Sequence, residues 1–193
     1  MGIEPTLAAW EAAVLPLNYT RGGASFYETP GTMRKRRLYN TDMKPELSLL
    51  LEIRATLDAP IVIGDVPEGK RRVVPVTGGT FAGPKLRGTL LPGGADWQYL
   101  RPDGVMVVEA QYLLRTDDGV IIQVNNRGMR HGPEEVMRRL AAGAPVDAAE
   151  YYFRATPRLS APAGPYDWLN RRMFLCSGAR FPDAVALWFY EVG

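Results

Sequence analysis

Cysteine and histidine are almost absent from this 193-residue chain, which has one of each, Cys176 and His131. A single cysteine cannot close an internal disulfide, so the fold must be stabilised by packing, as is usual in a reducing compartment such as the cytoplasm. A single histidine excludes a metal site built from two or three histidines of one chain. The sequence also lacks a Walker loop, an HExxH motif and paired cysteines, and we expect neither a metal nor a cofactor.

An excess of charge of one sign and long apolar runs are also missing. The 23 basic and 21 acidic residues nearly cancel and leave a formal net charge of +2, so the positive field that attracts nucleic acid is weak. No run approaches the roughly 20 apolar residues of a membrane-spanning helix. We therefore expect a water-soluble, cytoplasmic protein whose partner is neither nucleic acid nor a membrane.

The residues that are present have the composition of an ordinary globular domain, with 46% hydrophobic and 23% charged residues. A chain of this length is sufficient for one domain with a core. Residues 1–43 differ from the rest because they combine glycine and proline turns with the basic cluster Arg34 to Arg37. We interpret them as an N-terminal extension and residues 44–193 as the folded domain.

Short segments rich in β-branched and aromatic residues begin at Leu47 and are separated by turn residues, a pattern typical of sandwiches and barrels. The sequence predicts a tight hairpin turn at Asp117-Asp118-Gly119, because glycine tolerates the positive φ that such turns need. The predicted strands are Leu47 to Leu57, Arg71 to Thr80, Lys85 to Leu91, Asp96 to Arg101, Val105 to Thr116, Val120 to Arg127, Glu150 to Pro157, Leu169 to Ala179 and Ala184 to Val192.

One helix is predicted after Pro133, with Glu134 and Glu135 in its first turn and Gly143 after its end. Eight or nine strands with one short helix predict an all-β fold. We expect a closed antiparallel β-barrel, because closure removes exposed strand edges.

Polar and aromatic residues interrupt several of these apolar strands. An unpaired buried polar group costs on the order of 1–3 kcal/mol, so such residues usually have a reason to be there. If one strand face lines a barrel interior, these side chains would surround a small-molecule pocket. The structural alternative stays open, with Glu109 and Arg154 as an ion pair and Trp97 and Trp168 as core fillers. His131 is interpreted as a loop histidine and Cys176 as a small buried apolar residue.

Several motifs occur in a fixed order between about Pro45 and Val192. They are Gly78-Gly79-Thr80-Phe81 followed by Gly83-Pro84, Leu91-Pro92-Gly93-Gly94-Ala95-Asp96-Trp97, Thr116-Asp117-Asp118-Gly119, Asn126-Arg127-Gly128, Tyr151-Tyr152-Phe153-Arg154 and Trp168-Leu169-Asn170-Arg171. Through these motifs this part of the chain resembles a bacterial family, domain of unknown function 3237. The resemblance implies a calycin-like β-barrel with no general activity assigned. One departure is Ala155, where the resemblance implies threonine.

Two functions fit such a pocket. In the first, a cofactor-independent isomerase, hydratase or lyase acts on an organic acid or dicarbonyl metabolite by general acid/base catalysis. Arg154 would hold a carboxylate or enolate oxygen, Asp96 or Glu109 would be the general base, and Tyr152 the proton donor. The remaining candidates would bind or orient the substrate: Trp97, Tyr112, Asn126, Trp168 and Asn170.

In the second function, the barrel binds a hydrophobic small molecule without catalysis, and the same aromatic residues provide affinity alone. A small cavity filled by side chains would count against both functions. A third interpretation is compatible with either: residues 1–43 and an exposed barrel edge would build a homo-oligomer.

Overall fold

The structure, a computed structural model, describes residues 44–193. The N-terminal extension with its basic cluster lies outside the described residues, so its role in an oligomer stays a prediction. The helical elements are α1 (Glu134–Ala141) and two 3₁₀ helices, Ala148–Glu150 and Asp167–Arg171. The strands are β1 (Leu47–Leu57), β2 (Ile61–Val66), β3 (Gly69–Ala82), β4 (Arg87–Leu90), β5 (Gly94–Leu100), β6 (Met106–Thr116), β7 (Ile121–His131), β8 (Tyr152–Ser160), β9 (Phe174–Arg180) and β10 (Ala184–Val192).

The sheet closes on itself, and every neighbouring pair of strands is antiparallel. The order runs β1-β10-β9-β8-β7-β6 and returns through β4 and β5 to β3, which pairs again with β1. β4 and β5 share one position, because both pair with β3 on one side and with β6 on the other. The barrel therefore has 8 strand positions, and the prediction of a closed antiparallel β-barrel with one short helix is confirmed.

Most predicted elements lie where the sequence places them, with three differences. β2 was not predicted, because its Gly64 and the preceding Pro60 are typical of loops, whereas pairing with β3 holds it extended. The segment predicted as a strand from Leu169 begins as a 3₁₀ helix, and β9 starts at Phe174. β7 continues to His131, so the interpretation of that residue as part of a loop is wrong.

The core follows the two-residue period of a β-strand, in which successive side chains point to opposite faces. On β6, Leu114 is 0% exposed whereas the adjacent Leu113 is 40% exposed. Ile122 of β7 and Phe189 of β10 are also fully buried. The alternation therefore divides the strands into an apolar inner face and a mostly polar outer face.

The two ends of the barrel differ. We call the end with the Asp117–Gly119 turn the hairpin end. There the 3₁₀ helix Asp167–Arg171 buries the side chain of Leu169. Glu191 lies at the same end, accepts a hydrogen bond from Lys85 at 2.7 Å and forms an ion pair with Arg172 at 3.2 Å. At the helix end, defined by α1, Leu140 is buried. None of the described helices is both long and apolar enough to cross a bilayer.

One glycine allows β8 and β9 to pack closely. The two strands pair directly only at Arg154 with Ser177 and at Ala155 with Cys176. Beyond these pairs the ring of Phe153 lies against Gly178, where an added Cβ would be 2.6 Å from the ring atom Cδ1. Because a real Cβ never approaches a ring so closely, this packing requires glycine.

The register of β6 generates a stability prediction. We expect Leu114→Ala to lower the free energy of unfolding by about 3 kcal/mol, because it leaves a cavity in the core. Leu113→Ala, one residue away on the outer face, should cost less than about 1 kcal/mol. Urea denaturation of both variants measures the difference, and equal losses would contradict the inward orientation of Leu114.

Candidate functional site

A cavity lies inside the barrel towards the helix end. Its volume is about 40 Å³. A water molecule needs roughly 10–15 Å³ of such space, so the cavity accommodates a few waters or one small polar group. Most of its wall is apolar and is formed by Ala55, Leu57, Val76, Val108, Ala110, Phe153, Val185 and Leu187.

Polar side chains from four strands converge on the same cavity. The two-residue period brings them together: Asp96 and Gln98 are two positions apart on β5, and Asn126 and Arg130 are four apart on β7. The complete polar set is Asp96, Gln98, Tyr112, Asn126, Arg130 and Arg180.

Asp96 supplies the carboxyl group of the cavity. It accepts a hydrogen bond from the backbone N–H of Glu109 at 3.0 Å and another from the side-chain amide of Gln98. Burial raises the pKa of Asp96 above its usual range, and these hydrogen bonds and the charge of Arg130 oppose the rise only in part. Asp96 therefore exchanges its proton at a higher pH than an exposed aspartate does, which suits a general acid or base.

Arg130 is a buried cation for which residues 44–193 provide no ion pair. Its side chain is 5% exposed, and its Nε has no hydrogen-bond partner there. Burial, with repulsion from Arg72 and Arg180, lowers the pKa of Arg130 to about 10, so the guanidinium is charged at neutral pH. The guanidinium lies 5.6 Å from the centre of the Phe153 ring, and this cation–π contact offsets part of the cost of burial. An anion in the cavity would offset more of it.

Two further buried polar atoms facing the cavity, Tyr112 Oη and Asn126 Oδ1, have no hydrogen-bond partner within the part of the chain that the structure describes. The Nδ2 of Asn126 lies 3.9 Å from Cys176 Sγ, a weak contact. Burial raises the pKa of the Cys176 thiol to about 12, so it is no nucleophile at neutral pH. Buried polar atoms are normally hydrogen-bonded, so three atoms around one cavity with no partner among residues 44–193 are available to a ligand or to water.

Three of the nine residues predicted from the sequence line this cavity: Asp96, Tyr112 and Asn126. The other six do not. Trp97 and Tyr152 lie on the outer face, 45% and 44% exposed, and the ring of Tyr152 stacks on that of His131 with centroids 4.9 Å apart.

The expectation that Glu109 and Arg154 share the barrel interior is wrong. Glu109 Oε1 pairs with Arg127 Nε at 3.0 Å on the outer face, and Arg154 donates to the carbonyl of Phe153 at 2.8 Å. The reason is the strand period: Glu109 lies an odd number of residues from the inward Tyr112, and Arg154 lies beside the inward Phe153. The alternative of a Glu109–Arg154 ion pair is wrong as well, since Arg127 takes that place.

Trp168 and Asn170 lie at the hairpin end, in the 3₁₀ helix Asp167–Arg171. The Nζ of Lys85 is 4.7 Å from the centre of the Trp168 ring. The side chain of Asn170 accepts from the backbone N–H of Ala161 at 3.0 Å and donates to its carbonyl at 2.9 Å. Asn170 thus joins the helix to the end of β8, and neither residue reaches the cavity.

The sequence reasoning missed the cationic part of the site: Arg130, Arg180 and Arg72, which donates to Gln98 Oε1 at 2.9 Å. The period of β7 could have identified Arg130, because Arg130 shares a strand face with Asn126, four residues earlier. The predicted strand ended at Arg127 and therefore did not include Arg130. Within residues 44–193, no group of three metal-binding side chains lies close enough together to hold an ion.

Comparisons with known proteins agree with the fold. The profile of a family described as "Protein of unknown function (DUF3237)" matches residues 45–192. A UPF0311 protein of Rhodopseudomonas palustris is 37% identical over 147 residues, covering 76% of this chain and 96% of that protein. A UPF0311 protein of Clostridium acetobutylicum is 38% identical over 144 residues, covering 74% of this chain and 91% of that protein.

Three solved structures resemble the barrel. A conserved protein of unknown function from R. palustris has a TM-score of 0.76 and 37% identity, covering 78% of this chain and 99% of that one. A beta-barrel like protein from Acinetobacter baumannii has a TM-score of 0.70 and 37% identity, covering 80% and 99%. An enzyme from Penicillium herquei, with a TM-score of 0.60, 19% identity and coverage of 81% and 100%, shares the fold alone. The resemblance inferred from the sequence motifs is thereby confirmed, and the chain belongs to the DUF3237 family.

Proposed function

We propose that the cavity binds a small organic acid and moves a proton on it, as a cofactor-independent isomerase, hydratase or lyase. One observation carries the proposal: Tyr112 Oη, Asn126 Oδ1 and Arg130 Nε are buried without hydrogen-bond partners among the described residues. All three side chains line one cavity together with Asp96, a carboxyl whose pKa burial raises.

The size and charge of the cavity determine what enters it. Arg130 would bind a carboxylate or a carbonyl oxygen, because it is charged and has no ion pair within the described chain. A volume of about 40 Å³ is far below the roughly 300–1,000 Å³ of sites for drug-sized ligands. The proposed substrate is therefore small, or it inserts only a polar head group while its apolar part contacts Leu57 and Val185.

The chemistry follows from the groups around that head. Asp96, as carboxylate, would remove a proton from a carbon next to a carbonyl group. The C–H electron pair would form a C=C bond, and the π pair of the carbonyl group would move to its oxygen. Arg130 would stabilise the resulting enolate, and the Tyr112 hydroxyl would donate a hydrogen bond to it. Return of the proton to another carbon gives an isomerase, and loss of a group from the neighbouring carbon gives a lyase or, in reverse, a hydratase.

The apolar wall of the cavity favours a second candidate, a binding protein without catalysis. Eight of the fourteen lining residues are hydrophobic, which suits the hydrocarbon part of a ligand. In this case the polar atoms would contribute affinity and orientation only, and Asp96 would transfer no proton.

The role of Arg130 generates a binding prediction. We expect small 2-oxo acids at saturating concentration to raise the Tm by several degrees, since a ligand at 100 times its Kd adds about 2.7 kcal/mol to the stability. Arg130→Gln should abolish the rise. Arg127→Gln, on the same strand but outward and 74% exposed, is the matched control and should keep it. Loss of the rise in both variants, or in neither, would contradict binding at Arg130.

The cost of the unpaired charge generates a stability prediction. Without ligand, Arg130→Met should raise the free energy of unfolding by about 1 kcal/mol or more, because it removes a buried charge and keeps an unbranched apolar side chain in its place. Arg127→Met should change it little. Denaturant unfolding measures both, and a clear fall for Arg130→Met would mean that Arg130 stabilises the fold instead of serving a ligand.

Hydrogen exchange separates the enzyme from the binding protein. In D₂O, the protein should catalyse deuterium incorporation next to the carbonyl group of an acid that binds, and ¹H NMR follows it. The rate should fall as the pH decreases through the raised pKa of Asp96, because only the carboxylate accepts a proton.

Asp96→Asn should abolish this exchange without abolishing binding. Glu109→Gln removes a carboxylate on the outer face and should leave the rate unchanged. An acid that binds at Arg130 yet exchanges no deuterium at any pH would favour the non-catalytic candidate.

A further inference from the structure

We infer that the ligand of this cavity is a dianion with two separate anionic groups, of the small dicarboxylate class, and that Arg180 and Arg72 receive the second group. The inference rests on the proposed function and goes further, since it names the charge and shape of the substrate.

The first argument is an excess of positive charge at one place. Arg130 and Arg180 line the cavity, and Arg72 is hydrogen-bonded to Gln98, which also lines it. Eight ion pairs occur within residues 44–193, and none of them includes any of these three arginines. Among the described residues that line the cavity, Asp96 is the one carboxylate, so a monoanionic ligand would still leave positive charge at these arginines.

The second argument is how the arginines are held. The guanidinium of Arg180 donates to the backbone carbonyls of Ala184 at 2.9 Å and of Pro182 at 3.0 Å. Gln98 stands between Arg72 and Asp96, accepting from the arginine and donating to the carboxyl group. These acceptors are neutral, so they orient the cations without neutralising them. Arginine side chains that are held in place but keep their full charge bind carboxylates well.

The electrostatics agree with this geometry. Burial lowers the pKa of Arg180, and repulsion from Arg72 lowers it further, with Asp183 and Asp96 opposing. Asp183 is exposed on the β9–β10 turn, where water screens its charge. An anionic group beside Arg180 and Arg72 would relieve the repulsion between them.

The position of the arginines favours two anionic groups over one doubly charged group. Arg130 is 5% exposed, whereas Arg180 and Arg72 are only partly buried, so these two arginines lie nearer to the surface than Arg130 does. The cavity of about 40 Å³ accommodates one small head group at Arg130. A second carboxylate on the same carbon chain would then lie towards Arg180 and Arg72.

Matched ligands test the inference by isothermal titration calorimetry on the full chain. Succinate and succinamate have nearly the same shape, but the second has an amide in place of one carboxylate; malonate and malonamate repeat the comparison in a shorter chain. We expect at least one dianion to bind about tenfold or more tightly than its monoamide, a difference of about 1.4 kcal/mol. Ethyl phosphate provides a single doubly charged group.

Variants assign the second group. Arg180→Gln should weaken dicarboxylate binding about tenfold more than it weakens monoamide binding, and Arg72→Gln provides the same test if the first variant does not fold. Arg158→Gln, an exposed arginine on the outer face of β8, should change neither affinity.

The outcomes separate the inference from the function on which it rests. Equal affinity for each acid and its monoamide, with both lost in Arg130→Gln, would overturn the dianion and leave the proposed function in place. Tighter binding of ethyl phosphate than of either dicarboxylate would overturn the dicarboxylate class. No binding of any of these anions, with a 2-oxo acid still bound at Arg130, would overturn the dianion alone, and loss of 2-oxo acid binding as well would overturn both.

Discussion

Closure of the sheet, through the pairing of β3 with β1, fixes which face of every strand points inward. In an open sheet both faces of an edge strand can reach solvent, but in a closed barrel each residue lies either inside or outside. The two-residue period then leaves no freedom in the position of a side chain once the register of one strand is set. The cavity is a result of this constraint, because residues distant in sequence, such as Asp96 and Arg130, are turned towards the same space.

The interior contains both a packed core and a polar cavity, and the two have opposite energetic effects. Towards the hairpin end, fully buried side chains such as Leu114 and Phe189 contribute burial of apolar surface. Towards the helix end, an arginine and two polar atoms that find no ion pair or hydrogen-bond partner within residues 44–193 reduce the stability. Proteins commonly keep such a destabilising group where a ligand needs it. The packed core thus provides the stability that offsets the unfavourable burial of polar groups around the cavity.

Much of the fold could be predicted from the sequence, because turn residues and alternating apolar residues mark the strands. β1 and β10 have the predicted bounds. β2 could not be predicted, since its extended form depends on pairing with β3, and a local pattern does not carry that information. Asp96, Tyr112 and Asn126 line the cavity. For Asn126 the sequence signal is its strand face, which it shares with the fully buried Val124 and Ile122.

The wrong placements of Glu109 and Arg154 came from combining polar residues of opposite strand faces in one pocket. Glu109 and Tyr112 lie three residues apart on one strand, so both cannot face inward, and the sequence alone could have excluded one of them. Arg154 lies between the buried apolar residues Phe153 and Ala155, so its own side chain points outward. The arginine cluster needs more than one strand to be recognised, because Arg72, Arg130 and Arg180 become neighbours only through closure.

The pairing of β1 with β10 also has a consequence for synthesis on the ribosome. β1 is the first strand of the barrel to emerge and β10 the last, yet they lie side by side. The nascent chain must therefore hold β1 without one of its two partners until the domain is almost complete, and contacts of such high sequence separation form slowly. During that interval the free edge of β1 is open to other chains.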